Sequence, residues 1–380
     1  MSSMFRVLLI CLALTGAATL SRACDLCIQA GQPLSREVKD ARLVVFGPIA
    51  NAKLGADGIS GTSELRVDAT IKSDPQLGEL KSITLPHFVP PDPKVKYLIF
   101  ADARRGQLDP YRGIPFNSDR VVRYLKDSPE FPDDKTPPEK RAQRLLYYFK
   151  YLNDPEPDLA LDAFKEWASA GNREVGLVAP QVSADDLRQW LMNPKTPANR
   201  LSLYAFLLGS AGKDSDAELL RRLIVAPDER TGSALDGLLA GYIRLRPEEG
   251  WKLTEDVITD PKRPFTQKHA ILRLLRFYHG YQPSETRAQI VKCSALMLQQ
   301  PDVHDLMVDQ LHAWKIWDLT DQVIAVYAKA DAPITKRAVC RYLVLCPQPQ
   351  AKKFLEQLRQ MEPKLVRDVE EYLRGEPMQQ

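Results

Sequence analysis

LNDPEPDLALDAFKEWA, residues 152–168, sets a proline-rich turn directly before an apolar helix. Pro157 stands at the helix start, where its missing N–H costs nothing because the first turn has no intrahelical partners for its donors. The same turn recurs as Asn193-Pro194-Lys195-Thr196-Pro197 and as Asp260-Pro261-Lys262-Arg263-Pro264, each again followed by an apolar helix. Pro157, Pro197, Gly232, Pro264, Pro301 and Pro333, taken as unit starts, lie 40, 35, 32, 37 and 32 residues apart. Each interval fits two antiparallel helices and their turns.

From Glu139 to the end the apolar period is 3.6. It predicts helical segments from 139–152 to 364–374, among them 157–170, 183–193, 198–210, 233–245, 247–259, 265–280 and 284–300. Ser183 followed by Asp186 is a capping signal. Helix pairs at this pitch mark an α-solenoid, whose units bury their apolar faces only by stacking; an irregular helical bundle is the alternative.

Upstream, between Arg42 and Asp102, the period is two. Leu43-Val44-Val45-Phe46 is a short apolar run ended by Gly47-Pro48. Leu65, Val67, Ala69 and Ile71 alternate with polar residues, Ile83 and Leu85 repeat the alternation, and Tyr97-Leu98-Ile99-Phe100 reads as a fully buried strand. Turn signals separate them, among them Asp57-Gly58, Asp74-Pro75 and Pro90-Pro91-Asp92-Pro93. A small antiparallel barrel or sandwich is expected, closed by a short helix behind Ser118-Asp119. Ser128 to Lys140 carries four prolines and no apolar period, as a linker does. The expected organisation is therefore α+β in two domains: a β-rich unit over 24–127, a linker over 128–140 and helices over 141–376.

Residues 1–23 read as a secretory signal. Arg6 supplies the basic start, Val7 to Leu20 an apolar run of about 14 residues, and Ser21-Arg22-Ala23 a small-residue cleavage site. A membrane-spanning helix needs roughly 20 apolar residues. Cleavage leaves 357 residues starting at Cys24; it removes Arg6 and Arg22 but no acid, taking the net charge from +3 to +1. A nearly neutral chain gives no electrostatic reason to expect nucleic acid or an anionic membrane as partner. The expected location is periplasmic or extracellular, with a membrane tether only if Cys24 is lipidated. The lipobox pattern is poor, with Ser21 three places before the cysteine and Arg22 beside it.

Five cysteines remain after processing, too few for a disulfide-stapled scaffold. Cys340 and Cys346 lie about 9 Å apart along a helix, beyond the ~7 Å reach of a bridge, and are expected as buried apolar residues. Cys24 and Cys27 form a C-x-x-C at a chain end with no preceding strand. That placement favours a local disulfide over a redox centre, which needs a helix amino terminus after a core strand.

No metal site is expected. Of the five histidines, His87, His269, His279, His304 and His312, no two stand four apart, and His304 and His312 lie about 12 Å apart along an axis. Nucleophile and phosphate-loop motifs are missing, and no cofactor is expected. Leu108-Asp109-Pro110-Tyr111-Arg112-Gly113 reads as an Asp-Pro turn. It presents Asp109, Tyr111 and Arg112 to a ligand, or else pairs Arg112 with Asp109 and packs Tyr111 on the barrel. Trp167, Tyr204, Phe277, Tyr278, Trp314 and Trp317 sit at helical spacing, mostly as core; any left exposed marks a partner groove.

Residues 140–375, with their Asp/Asn-Pro turns, resemble the HEAT-like repeat families. A Cys at the mature start, a strand ending in Phe46-Gly47, the stretch Leu65 to Lys72 and the buried Tyr97–Phe100 strand resemble the netrin/tissue-inhibitor type of OB barrel. In that family the amino-terminal cysteine is disulfide-bonded inward, and in the inhibitors its amine chelates a protease zinc. This chain departs from the pattern in having Cys24-Asp25-Leu26-Cys27 instead of Cys-x-Cys and no later cysteine in the β region. The whole chain also resembles exported bacterial proteins of unassigned function. The leading expectation is an exported, non-enzymatic protein-binding scaffold. The alternatives are an enzyme with its site near Asp109, Tyr111 and Arg112, and a netrin-like protease inhibitor.

Overall fold

A computed structural model describes residues 24–27, 31–104, 107–133 and 135–375. The stretch read as an export signal, 1–23, lies outside the described residues. The chain is α+β: a curled antiparallel sheet followed by a long run of helices. No described helix is long and apolar enough to cross a membrane.

A short helix, α1 (Leu34–Asp40), precedes the sheet. The strands are β1 (Leu43–Leu54), β2 (Gly61–Arg66), β3 (Ala69–Lys72), β4 (Ser82–Leu85), β5 (Lys96–Arg104) and β6 (Gln107–Phe116). Their order is β4-β2-β1-β5-β6, with β3 also paired to β1. The curl originates in β1. Its first half lies between β5 and β3, its second half pairs with β2, and a bulge between Ile49 and Asn51 bends it between the two.

Two sequence expectations fail here for one reason, the pairing of residues 61–72 along one edge of β1. Gly47-Pro48 does not end the first strand, which runs on to Leu54. Gly47 serves close approach instead, since a Cβ there would lie 1.8 Å from the Arg66 carbonyl oxygen. The alternating stretch 65–71 is two strands, β2 ending at Arg66 and β3 starting at Ala69; between them Val67 N–H bonds Lys81 on the β4 side and Asp68 N–H bonds Phe46 of β1, both at 2.9 Å. Both strands lie along the same edge of β1, the one opposite β5.

Alternation along β1 sends Leu43 and Val45 into the hollow of the curled sheet with Leu65, Ile83 and Ile99. Val44 and Phe46 point the other way, with Leu98, Phe100 and Phe116, into a core that continues through Tyr124 and the helices as far as Val369. That second face is what docks the sheet to the helices.

The helices are α2 (Arg120–Lys126), α3 (Pro138–Gln143), α4 (Leu145–Phe149), α5 (Pro157–Ala168), α6 (Asn172–Val178), α7 (Ala184–Met192), α8 (Ala198–Ala211), α9 (Asp214–Val225), α10 (Glu229–Gly232), α11 (Leu235–Leu245), α12 (Pro247–Thr259), α13 (Phe265–Tyr281), α14 (Pro283–Met297), α15 (His304–Trp314), α16 (Thr320–Lys329), α17 (Pro333–Leu345), α18 (Pro349–Met361) and α19 (Pro363–Gly375). Ser183 caps α7 by accepting from Asp186 N–H at 3.2 Å. At α2 the accepting hydroxyl is that of Ser118, while Asp119 turns to Lys96 at 2.9 Å. Helices α1, α6 and α10 span at most seven residues, too few to display a period. Helix α3 begins inside the proline-rich stretch read as a linker.

Helix α8 packs on α11, α11 on α13, α15 on α17 and α17 on α19, while α12 meets α14 and α16 meets α18. Between α8 and α11 the backbones touch. A Cβ on Gly237 would lie 2.1 Å from the Ser202 backbone, and one on Gly241 2.1 Å from the Ala205 carbonyl. Gly237→Ala is therefore expected to destabilise by the upper part of the ~1–3 kcal/mol seen on overpacking, read as a lower urea midpoint at unchanged slope. Gly232→Ala, whose added carbon meets nothing closer than 3.6 Å, is the control expected to leave the midpoint unchanged or raise it.

Candidate functional site

Helix α5 carries two acids, Asp162 and Glu166, on the face it buries with Leu159, Ala163 and Trp167. They are one turn apart, so their side chains stand together. Both are inaccessible to solvent, Glu166 completely. Buried carboxylates need partners, and the partners come from three separate parts of the chain. Leu34 N–H of α1 donates to Asp162 Oδ1 at 2.8 Å, and Tyr124 OH of α2 donates to Asp162 Oδ2 at 2.8 Å. Ser35 OH of α1 donates to one oxygen of Glu166, and Arg144, between α3 and α4, donates to the other. Pro33, the residue before α1, supplies no side-chain cap. An acid 128 positions away in sequence therefore caps this helix start.

Burial pushes the Asp162 carboxyl up to about 7, and the neighbouring Glu166 charge adds to the shift; Leu34 N–H, the Tyr124 hydroxyl and the Lys165 charge oppose it. Tyr124 moves up as well, by burial first and by Asp162 second.

Next to this cluster the amino-terminal segment lies against the end of α5 and the start of α6. Cys24 N–H donates to the Ala168 carbonyl at 3.1 Å, so the nitrogen that would chelate a protease zinc is turned inward. Asp25 and Asn172 form a two-point clamp, with Asp25 N–H to Asn172 Oδ1 at 2.9 Å and Asn172 Nδ2 to Asp25 Oδ2 at 2.6 Å. Cys27 N–H closes a turn onto Cys24 C=O at 3.0 Å, and the two sulfurs stand 2.8 Å apart as thiols. Cys24 is only 3% exposed. Burial, then the Cys24 thiol, pushes the Cys27 thiol well up, away from the thiolate form that attacks electrophiles.

Asp109, Tyr111 and Arg112 do not sit on a turn. They belong to β6, the edge strand, where the prolines that suggested a turn are tolerated. Asp102 faces Asp109, Ala101 faces Pro110 and Phe100 faces Arg112, which leaves Tyr111 as the extra residue of a bulge. Tyr111 is half exposed, with its ring 6.5 Å from that of Phe100. Arg112 pairs with the buried Glu37 of α1 and not with Asp109. Through Arg112, this stretch joins the junction that holds α1.

Asp162, Glu166 and Asn172 were not singled out from sequence. The signal for the two acids was present as charges at positions of the apolar period of 157–170; for Asn172 there was none. Among the aromatics, Trp167, Tyr204, Phe277 and Tyr278 are core, while Trp314 and Trp317 are half-buried, Trp314 stacked on His279 at 4.6 Å. Cys293, Cys340 and Cys346 are buried thiols. Among the described residues no group of three or more His, Cys, Asp or Glu side chains is placed to hold a metal ion. Two surface clefts stand apart from the carboxyl pair. One, of about 600 Å³, lies under the proline-rich stretch around Phe131. The other, of about 560 Å³, lies between α11, α12, α13 and α14.

No family model, curated protein or solved structure matches the chain.

An acid whose carboxyl is raised on folding stabilises the fold below its ordinary value, near 4, and loses that contribution as pH rises through about 7. Asp162→Asn keeps the oxygen that accepts Leu34 N–H and removes the titration. The expected result is a thermal midpoint that falls between pH 4 and 8 more steeply in the wild type than in the variant. The variant gains on the order of 2–4 kcal/mol relative to the wild type across that window. Parallel curves would remove Asp162 as the titrating group.

Proposed function

We propose that this protein is exported and acts as a non-enzymatic binding scaffold, with its helices forming an α-solenoid of HEAT-like hairpins and its OB-like sheet capping the first of them. The observation that carries this reading is the cleft between the hairpins α11/α12 and α13/α14, lined from all four helices. Its floor holds Trp251 and Tyr278, with ring centroids 5.3 Å apart. Stacked hairpins bind partners along such surfaces, and buried aromatics with a polar rim are the usual anchors for a protein partner. The regular pitch of proline-started helices supports the solenoid. The packing of α8, α11 and α13 in succession supports it too. The near-neutral charge favours a protein partner over nucleic acid.

Export rests on the apolar run ahead of Cys24. In an oxidising compartment the turn that holds the sulfurs of Cys24 and Cys27 together favours their closure to a disulfide. Burial of Cys24 against Cys27 favours a soluble protein over one tethered by lipid on that sulfur.

Two measurements test this reading. A photo-crosslinking residue at Gln289, in the cleft, is expected to give a discrete protein adduct in the native compartment, and one at exposed Arg221 of α9 none. Equal patterns at the two positions, or no adduct at Gln289, would remove the scaffold reading. For the bridge, exported protein denatured without reductant is expected to alkylate at Cys293, Cys340 and Cys346 only, and at all five after reduction. Five alkylated cysteines before reduction would rule the disulfide out.

A further inference from the structure

The cleft between α11 and α14 carries charges of both signs, and they are not equivalent. Lys252 is engaged by Asp256 and Lys292 by Glu255, so neither is available. Arg244, at the end of α11, is different. Its guanidinium lies 5.7 Å from the centre of the Tyr281 ring, and its buried Nε has no hydrogen-bond partner. Among the described residues no carboxylate pairs with it. A guanidinium does not neutralise itself by losing a proton, and a buried donor left unmade is costly. Arg244 therefore brings to the cleft lining a half-buried cationic group with no carboxylate partner among the described residues.

The surroundings restrict that acceptor. Ile243, Trp251 and Tyr278 make the floor apolar, so the group beside the anion must be apolar too. Glu248 and Glu285 are exposed on the lining, where they disfavour a dianion such as phosphate and any second acid on the ligand. Gln282 and Gln289 on the wall offer amide groups of the kind that pair with a peptide backbone. A volume of about 560 Å³ open to solvent suits one or two residues with the chain leaving through the mouth.

We propose that this cleft binds the carboxyl end of a protein chain, with the terminal carboxylate on Arg244 and an apolar last side chain on the Trp251–Tyr278 floor. A carboxylate matches the planar guanidinium through paired N–H donors. The proposal rests on the scaffold reading above and names the chemistry of its partner.

The test uses the full chain and fluorescein-labelled peptide pools with three mixed residues before a final Leu or Phe, each made with a free or an amidated end. Fluorescence anisotropy is expected to show the free-carboxylate pools binding at least tenfold more tightly than the amidated ones. Pools ending in Asp are expected to bind more weakly than those ending in Leu or Phe. Arg244→Gln is expected to abolish the difference between free and amidated ends with only a small fall in the thermal midpoint, since the contact with the Tyr281 ring is lost but no ion pair is. Arg244→Lys is expected to retain part of it. Equal binding of free and amidated pools, or no binding of either by the wild type, overturns the proposal. If the adduct at Gln289 forms with a partner whose carboxyl end is dispensable, the carboxylate proposal fails while the scaffold reading stands. If neither the adduct nor peptide binding is seen, both fail.

Discussion

Two carboxylates buried on one face of α5 hold the junction of this molecule together. Asp162 and Glu166 receive hydrogen bonds from α1, from Tyr124 of α2 and from Arg144. Buried acids leave water at a large free-energy cost, and that cost is offset only while every partner stays in place. The arrangement is therefore mutually conditional. Helix α1 has its first N–H satisfied only by docking on α5, and α5 tolerates its acids only with α1 and Arg144 docked. Asp162 resists ionisation, through burial first and the neighbouring Glu166 charge second.

Around that junction the sheet and the helices share apolar material. The first half of β1 has both faces buried, one into the hollow of the curled sheet and the other into the helical core. A strand exposed on one side would leave the sheet a separate body. Phe46, Phe100 and Phe116 instead make it a wall of the core that reaches Tyr124 and Trp167. Arg112 adds a polar tie from the sheet edge to Glu37 on α1. The amino-terminal turn at Cys24–Cys27 is fastened to the same region through Ala168 and Asn172.

The helices beyond α7 are held differently. There the close contacts are backbone against backbone, at Gly237 and Gly241, and aromatic against aromatic, as between Phe206 and Phe277 at 4.5 Å. Their salt bridges lie mainly at half-exposed positions, where such pairs contribute little to stability. Packing sets the spacing of these helices, and the surface charges are left to modulate what approaches the clefts between them.

The sequence by itself determined where most helices lie, because a 3.6-residue apolar period over ten or more residues has one economical solution, and proline marks its start. It also determined that the part before residue 128 is β-rich, through alternation and turn residues. What it could not carry were short elements and long-range partners. Helices α1, α6 and α10 are shorter than the window a period needs. Gly47-Pro48 reads locally as a stop and becomes the middle of a strand because β5 pairs there on one edge and the Arg66 backbone approaches closely on the other. The same holds for Asp109-Pro110, a turn by local chemistry and an edge strand by pairing with β5. The acids at 162 and 166 look like ordinary helix charges until α1, Tyr124 and Arg144 close over them. Those outcomes belong to tertiary structure alone, since the groups that decide them are brought together from segments as much as 128 residues apart.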